Sequence, residues 1–377
     1  MYSQPKRIEF LDSVRGLAAL FVLLSHSSAA FEWPASFLAL ISLPFISILF
    51  DGKEAVAMFF VLSGYVLAKP YTDTGGGDSR QIFLPTFYLR RFLRIWPPWF
   101  FVFVLSILAR EFLFVQPATQ PAVTAWFHGF WQIKLTAPDF FRQCAFMLHD
   151  STRQLLNQDW SLGVELKGSA LIPLLVVLAR RKYVVFMLPL AVLFLVCIGT
   201  GEYYVSFIIG VLLAQYGSIW SGQVSRLRKL GRVMFFLSGL LLYGSLELML
   251  KIFHGRLFSY KYGWVMTAIG CALILISIFG SQSLQRVLNW KPVVFLGRIS
   301  YSVYLLQFII ILCLLPPLVS LCNRSGITNP WLLCLLTILA SVAATIGGSA
   351  ILYRFIESPV INFSHALTKE IQRHFQK

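Results

Sequence analysis

The sequence predicts an all-α polytopic integral membrane protein with about ten transmembrane helices and both termini in the cytoplasm. Three observations lead to this fold class. Of the 377 residues, 57% are hydrophobic and only 13% are charged, whereas a soluble domain carries about 25% charged residues. The apolar residues form runs of the length that a helix needs to cross a bilayer, about 20 residues. The basic residues lie in short clusters between these runs.

The apolar runs define the elements in chain order. None shows the period-two alternation of a membrane β-strand, and backbone groups in lipid must be hydrogen-bonded within the segment, so each run predicts a helix. The predicted spans are residues 14–31, 55–69, 95–115, 160–179, 183–200, 203–220, 233–250, 262–280, 293–315 and 331–353. Residues 37–50 are also apolar but are short and broken by Pro44, so we expect them to lie on the outer surface or to re-enter the membrane.

The distribution of positive charge orients these helices. The chain has 32 Lys and Arg residues against 16 Asp and Glu, a formal net charge of +16. With ten spans and both termini inside, most of the basic residues fall on the cytoplasmic side, as the positive-inside rule requires. Their position between apolar runs argues against nucleic acid as the partner. Only a short polar tail follows Pro359, so residues 1–377 are expected to form a single membrane domain without a soluble C-terminal domain.

The first predicted span contains two titratable residues. Such groups are costly inside a membrane and mark candidate functional sites. Arg15 and His26 lie on nearly the same face of a helix, about 16 Å apart along its axis, and histidine accepts and returns a proton near neutral pH. His26 is therefore a candidate general base. The alternative is an interior His bonded to a neighbouring carbonyl, with Arg15 extending to the membrane surface.

The second and third spans carry small and basic residues. Ser63 and Gly64 permit close helix packing or leave room for a ligand. Arg90, Arg91 and Arg94 cluster at the inner end of the third span. Guanidinium groups bind phosphate oxygens through paired hydrogen bonds, so three together suit a polyphosphate. The alternative for the cluster is a topogenic or lipid-headgroup role.

A carboxylate lies near the outer end of the fourth predicted span. Glu165 follows Trp160 by five positions, and a carboxylate there orients a histidine or holds a sugar hydroxyl. Alternatively Glu165 neutralises Lys167, although residues two apart on a helix point to different sides. No metal site is predicted.

Taken together, these segments resemble acyltransferase family 3, a family of membrane-bound O-acyltransferases. In order along the chain, the matching segments extend from residue 8 to about residue 359 and cover nearly the whole sequence. They are Arg15–His26 (Arg-x10-His), Phe59–Gly64 (FFxxSG), Arg90–Pro97 (RRxxRxxP), Trp160–Glu165 (WSLxxE), Leu296–Leu305 (LGxxSYxxYL) and Tyr353–Pro359 (E-x-P). Each motif is weak alone, and the ordered set is specific.

The resemblance implies transfer of an acyl group, most often acetyl, from cytoplasmic acyl-coenzyme A to a hydroxyl of a cell-surface or lipid-linked glycan. The implied location is the bacterial cytoplasmic membrane. His26 is then the general base and Glu165 a second catalytic residue, whereas Ser63 is disfavoured as a covalent acyl carrier because no base is visibly paired with it. The residues expected to hold acetyl-coenzyme A are Arg15, Ser63, Gly64, Arg90, Arg91, Arg94, Arg298 and Tyr301.

The chain departs from the family pattern in two places. Gln307 stands where the family often has His, so any chemistry of that His is absent here. Lys167, Gly168 and Ser169 replace the aromatic pair that usually follows WSLxxE, which leaves the shape of the outer pocket open. The alternative function is a secondary transporter or flippase, whose usual signature is a repeat of broken helices; the sequence shows no such repeat.

Overall fold

The computed structural model describes residues 8–43, 45–72, 82–114, 123–132, 135–145, 155–253 and 257–375. Within these ranges every named element is a helix, and the one extended pairing is an isolated antiparallel bridge between Phe31 and Val123. The all-α prediction is confirmed.

The longer helices form the framework of the described chain. They are α1 (Glu9–Ala29), α2 (Gly52–Ala68), α3 (Leu84–Phe112), α4 (Asp159–Leu178), α5 (Met187–Cys197), α6 (Gly201–Ser225), α7 (Lys229–Tyr243), α8 (Leu257–Phe279), α9 (Ser300–Arg324), α10 (Pro330–Leu352) and α11 (Ser358–Phe375). Shorter α-helices are Ala35–Ile41, Ala125–His128, Ala137–Cys144, Ser245–Ile252, Gln282–Leu288 and Lys291–Arg298. Three 3-10 turns, Ser47–Phe50, Lys69–Tyr71 and Val184–Phe186, and a π-helical turn at Tyr353–Glu357 complete the described elements.

Seven helices among the described residues are long and apolar enough to cross a membrane. These are α1, α3, α4, α6 and α9, the Ser259–Phe279 part of α8, and the continuous segment Pro330–Phe375. The chain is accordingly an integral membrane protein. The total of ten spans and the cytoplasmic position of both termini stay predictions.

The other predicted spans coincide with shorter or interrupted helices. The predicted span 55–69 is the 17-residue helix α2, and 183–200 contains the shorter apolar helix Val184–Cys197. The predicted span 233–250 is divided at Gly244, where α7 ends. The described part of the 37–50 region contains two short helical segments, Ala35–Ile41 and Ser47–Phe50, each too short to span.

The predicted span 293–315 begins later in the structure than the apolar pattern indicates. Residues Lys291–Arg298 form a separate short helix, and α9 begins at Ser300. The interruption lies at Ile299. Because Ile299 is itself apolar, hydrophobicity alone does not reveal that one helix ends and another begins there. Helix α10, in contrast, begins where its sequence predicts, because the Asn329 side chain accepts hydrogen bonds from the first backbone N–H groups and Pro330 occupies the first helical position.

The described chain forms two compact units, each assembled from discontinuous segments. The first unit comprises Met1–Ala18, Lys53–Phe87 and Val164–Arg298. Its core is aromatic: Phe60 of α2 stacks on Phe207 of α6 with ring centroids 5.4 Å apart. Trp264 of α8 is fully buried and donates its indole N–H to the Ser206 hydroxyl at 3.0 Å. These contacts connect α2, α6 and α8.

The second unit comprises Ala19–Gly52, Tyr88–Gly163 and Ile299–Lys377. Helices α9 and α10 pack along each other in this unit. The indole N–H of the fully buried Trp99 donates to the Asp159 carboxylate at 2.7 Å. The hydroxyls of Ser27 and Ser341 are 2.8 Å apart and connect α1 to α10. These four buried side chains are thus bonded in pairs, as is usual for polar groups in a low-dielectric interior.

Candidate active site

His26 lies near the end of α1, in the second unit, and its imidazole is partly buried. Trp126 stacks beside it, with ring centroids 5.8 Å apart and an angle of 21° between the planes. Phe308 of α9 approaches more closely, at 4.7 Å between centroids. His26 therefore has two aromatic neighbours and lies on a membrane helix, where a titratable group marks a candidate functional site.

The segment that carries Trp126 is attached to the end of α1. The Thr124 hydroxyl donates to the Ala29 carbonyl at 2.7 Å, and the Thr124 amide donates to the Ala30 carbonyl. The same hydroxyl accepts the Phe127 amide and so caps the short helix Ala125–His128. One threonine thereby holds the Trp126 helix against the part of α1 that bears His26.

Gln307 of α9 supplies the described hydrogen-bond partner of His26. Its Oε1 atom lies 3.3 Å from His26 Nδ1, and its Nε2 atom donates to the Tyr304 carbonyl at 3.0 Å. Gln307 has no exposed surface. The residue that departs from the family pattern is therefore in contact with the candidate base.

Other polar side chains of α9 bind further helices of the second unit. Tyr301 donates its hydroxyl to the Ile95 carbonyl of α3 at 2.7 Å. The Tyr304 hydroxyl lies 2.5 Å from the Ser161 hydroxyl on α4. Tyr301, Tyr304 and Gln307 are three residues apart along the helix, so they lie along one side of α9. Tyr301 and Tyr304 of the late LGxxSYxxYL segment thus connect α9 to α3 and α4, and Gln307 follows that segment by two positions.

The predicted arginine cluster lies in the first half of α3, and two of its members have partners near the C-terminal end of the chain. Arg94 Nη2 lies 3.3 Å from the carboxylate of Glu357, which is completely buried. The other Glu357 oxygen accepts the Ser302 hydroxyl at 2.7 Å. Arg90 donates from Nε to the Thr368 hydroxyl of α11 at 2.7 Å. These contacts fix the two guanidinium groups in position.

Ser63 and Glu165 come together in the first unit. The Ser63 hydroxyl donates to the Glu165 carboxylate at 3.2 Å, and both side chains are partly buried. The sequence reasoning found no base beside Ser63, and this was wrong because the carboxylate comes from α4, far away along the chain.

Gly64 has a packing role in the structure. A Cβ atom added to Gly64 would lie 2.5 Å from the Phe207 carbonyl oxygen and 3.1 Å from the Gly210 Cα of α6. A side chain there would force the two backbones apart. Of the two interpretations left open by the sequence, close packing is therefore the one that the contacts support.

Gly168, part of the second departure from the family pattern, makes room for an aromatic ring. A Cβ atom on Gly168 would overlap the Phe207 ring. The ring that occupies this space comes from α6 and stacks on Phe60. An aromatic side chain is thus present beside α4, supplied by another helix.

Arg15 and Arg298, both in the first unit, are paired with acidic residues. Arg15 lies 3.9 Å from Asp12, one turn earlier on α1. Arg298 lies 3.7 Å from Glu9, with both side chains about half exposed. The Arg298–Glu9 pair is exposed enough to contribute little to stability, whereas Arg15 and Asp12 are more buried, with 29% and 11% of their side chains exposed.

Several buried carboxylates of the helices were not predicted from the sequence. Glu357 lies within a matched motif but was not predicted as a site residue. Glu54 and Glu202 are 1% and 3% exposed, respectively, and were also missed. A carboxylate in an apolar helix is a sequence signal for a functional site. Glu54 and Glu202 were not predicted on this signal because they lie in first helical turns, where acidic residues are common.

Residues 8–354 match a family model described as an acyltransferase domain. The chain belongs to acyltransferase family 3. The match covers α1 through α10, and therefore both units and all the candidate site residues.

Among curated proteins, relatives of this family member include bacterial acetyltransferases. The chain is 24% identical to the O-acetyltransferase OatA of Staphylococcus aureus over 394 residues, which is 96% of this chain and 58% of OatA. It is 22% identical to YrhL of Bacillus subtilis over 383 residues, 93% of this chain and 54% of YrhL. The chain spans about half the length of these relatives. No solved structure matches it.

Proposed function

We propose that the chain is an integral-membrane O-acyltransferase of the bacterial cytoplasmic membrane. It transfers an acetyl group from cytoplasmic acetyl-coenzyme A to a hydroxyl of a cell-surface or lipid-linked glycan. Membership of acyltransferase family 3 and similarity to a protein named as an O-acetyltransferase support this reaction class. The structural observation that carries the proposal is His26, a partly exposed imidazole held by an amide and two aromatic rings on a membrane helix.

His26 acts as the general base in this proposal. The imidazole accepts the proton of the acceptor hydroxyl while that oxygen attacks the thioester carbonyl. The bond between oxygen and the acyl carbon forms, the carbon–sulfur bond breaks, and the departing sulfur takes up the proton to give the coenzyme A thiol. Aromatic neighbours exclude water from one side of the imidazole and so suppress hydrolysis of the thioester.

Arg90, Arg91 and Arg94 are proposed to bind the phosphates of coenzyme A. The contacts to Thr368 and Glu357 orient the guanidinium groups of Arg90 and Arg94. A guanidinium has five N–H donors, so one protein contact is compatible with simultaneous binding of phosphate oxygens. A fixed arginine loses less side-chain entropy on binding than a mobile one.

The remaining candidate residues are proposed for roles in donor and acceptor binding. Arg15 and Arg298 are proposed as further donor-binding cations, and Tyr301 of the second unit as a residue that supports the arginine segment through the Ile95 carbonyl. Glu165, bonded to Ser63, is proposed to hold a hydroxyl of the glycan, because a carboxylate accepts hydrogen bonds from sugar hydroxyls.

The decisive experiment compares surface glycans from cells that have the gene with those from cells that lack it. Mass spectrometry should show glycan fragments that lose the mass of an acetyl group when the gene is deleted. A plasmid copy of the wild-type gene should restore the mass, and a His26→Gln copy present at equal abundance should not. Acetylation that is unchanged by deletion would overturn the proposal.

A binding experiment distinguishes an acyltransferase from a transporter or flippase. Labelled acetyl-coenzyme A is added to the detergent-solubilised protein and its retention is measured. An acyltransferase binds the donor, with weaker binding in an Arg90→Ala variant. Transport of a lipid-linked glycan requires no such binding, so its absence would favour the alternative.

A further inference from the structure

We propose that Gln307 is a positioning residue that keeps the hydrogen of neutral His26 on Nδ1 and leaves Nε2 as the nitrogen that accepts a proton. The catalytic consequence rests on the proposed function. The position of the hydrogen does not, because it can be measured in a protein that shows no activity.

The contacts of the Gln307 amide define its orientation. One end of this amide lies 3.0 Å from the Tyr304 carbonyl oxygen, which can only accept a hydrogen bond. That end must therefore be the NH2 group, since the opposite orientation would bring two oxygens together. The Oε1 atom is then the end that faces His26.

The orientation of the amide determines the tautomer of the imidazole. An amide oxygen accepts hydrogen bonds and donates none. His26 Nδ1, 3.3 Å from Gln307 Oε1, must therefore carry the hydrogen of this bond. Neutral imidazole has a single N–H, so Nε2 has the lone pair.

The surroundings of His26 also favour the tautomer with the hydrogen on Nδ1. Two rings, those of Trp126 and Phe308, lie beside the imidazole, and neither has an acceptor for Nε2–H. Gln307 is completely buried, so water does not compete for its oxygen. A misplaced hydrogen on Nε2 would leave the amide oxygen and Nδ1 facing each other as two acceptors.

The same bond persists through proton transfer. When Nε2 accepts the proton of the acceptor hydroxyl, the imidazolium has N–H groups on both nitrogens. Nδ1–H continues to donate to Gln307, and neither side chain has to reorient. An uncharged partner thus performs the orienting task that a carboxylate performs in the Ser-His-Asp triad.

The test is nitrogen NMR of the detergent-solubilised full chain labelled with 15N-histidine. Protonated and unprotonated ring nitrogens resonate in separate regions, and the His26 signals are those missing from a His26→Gln sample. At a pH where His26 is neutral, the wild-type protein should show a protonated Nδ1 and an unprotonated Nε2. The opposite pattern, or an equal mixture of tautomers, would overturn the proposal.

Three variants separate positioning from simple packing. Gln307→Met preserves length but removes the acceptor, so the preference for Nδ1–H should be lost; Gln307→Glu keeps an acceptor oxygen and should retain it. Gln158→Met is the matched control, because Gln158 is also buried and donates its amide to α9, at the Leu305 carbonyl. An unchanged tautomer in Gln307→Met would contradict the proposal.

Kinetics gives the second readout. Gln307→Met should lower kcat about tenfold or more and leave the KM for acetyl-coenzyme A unchanged, since a misplaced proton impairs a general base but not donor binding. A loss confined to KM would overturn the positioning role. If the wild-type protein shows the expected tautomer but transfers no acetyl group, the proposed function fails and the assignment of the hydrogen stands.

Discussion

The Arg94 guanidinium lies 3.3 Å from one carboxylate oxygen of Glu357, and the Ser302 hydroxyl donates to the other oxygen at 2.7 Å. Glu357 is completely buried, whereas 29% of the Arg94 side chain is exposed. A charge in such a position is tolerated only with partners. The pair therefore connects the first half of α3 to the π-helical turn Tyr353–Glu357, and the Arg94 side chain stays partly exposed.

Removal of Arg94 should destabilise the protein more than removal of the whole pair. Arg94→Ala removes the ion-pair partner of a buried carboxylate that keeps its Ser302 bond, at a cost of about 3 kcal/mol. In the double variant Arg94→Ala/Glu357→Gln the buried group is neutral, so the thermal unfolding midpoint in detergent should rise relative to the single variant. A double variant as unstable as Arg94→Ala would show that the charge of Glu357 is not the cause.

Replacement of His26 should abolish transfer without preventing insertion. His26→Gln is similar in size and keeps a polar group beside Gln307, so membrane abundance should be close to that of the wild type. Acetyl transfer should fall by about 100-fold or more, the contribution typical of general acid–base catalysis. Transfer at the wild-type rate by a membrane-inserted His26→Gln protein would contradict the role of His26 as a base.

The hydrogen bond between Ser63 and Glu165 predicts that substitutions at these two positions impair activity to different degrees. Glu165→Ala removes the proposed sugar-hydroxyl acceptor and should raise the KM for the glycan, whereas Glu165→Gln keeps one acceptor oxygen and should be milder. Ser63→Ala removes one hydrogen bond to the carboxylate and should change activity less than Glu165→Ala. Mass spectrometry of protein incubated with acetyl-coenzyme A should find Ser63 unmodified, and an acetylated Ser63 peptide would make it a covalent carrier.

Packing at Gly64 predicts a stability loss that a matched glycine does not share. Gly64→Ala places a Cβ atom against the backbone of α6, where nothing can rotate away, and should cost about 1–3 kcal/mol. Gly222 lies within α6 and has no atom within 4 Å of an added Cβ, so Gly222→Ala should stabilise the helix by about 0.5–1 kcal/mol. Thermal unfolding in detergent tests both, and equal midpoints would contradict the role of Gly64.

The local sequence was sufficient to predict where most of the described helices lie along the chain. The Arg15–His26 spacing lies on one continuous helix as predicted, and α10 begins at Pro330, one residue before the predicted span. The helices that were misjudged are those interrupted without loss of hydrophobicity. Gly244 divides one apolar run and Ile299 precedes the start of α9. Hydropathy averages over such interruptions, so it does not detect them.

The site was predicted less completely than the helices. Sequence singled out His26, Ser63, Glu165 and the arginine cluster because charged and polar groups are rare in apolar helices. It gave no indication that Ser63 meets Glu165, and it treated Gln307 only as a lost histidine. These partners lie far apart along the chain and meet only because α2 and α4, or α1 and α9, pack together.

Composition and the order of motifs, both readable without a structure, determined that this is a helical membrane protein of an acyltransferase family. Bilayer insertion depends on local hydrophobicity, and each motif is contained within a single segment. Only the tertiary structure decided which side chains are partners: Glu357 for Arg94, Glu165 for Ser63 and Gln307 for His26. A hydrogen bond requires two groups within about 3 Å, and that proximity is a property of helix packing, which spacing along the chain does not encode.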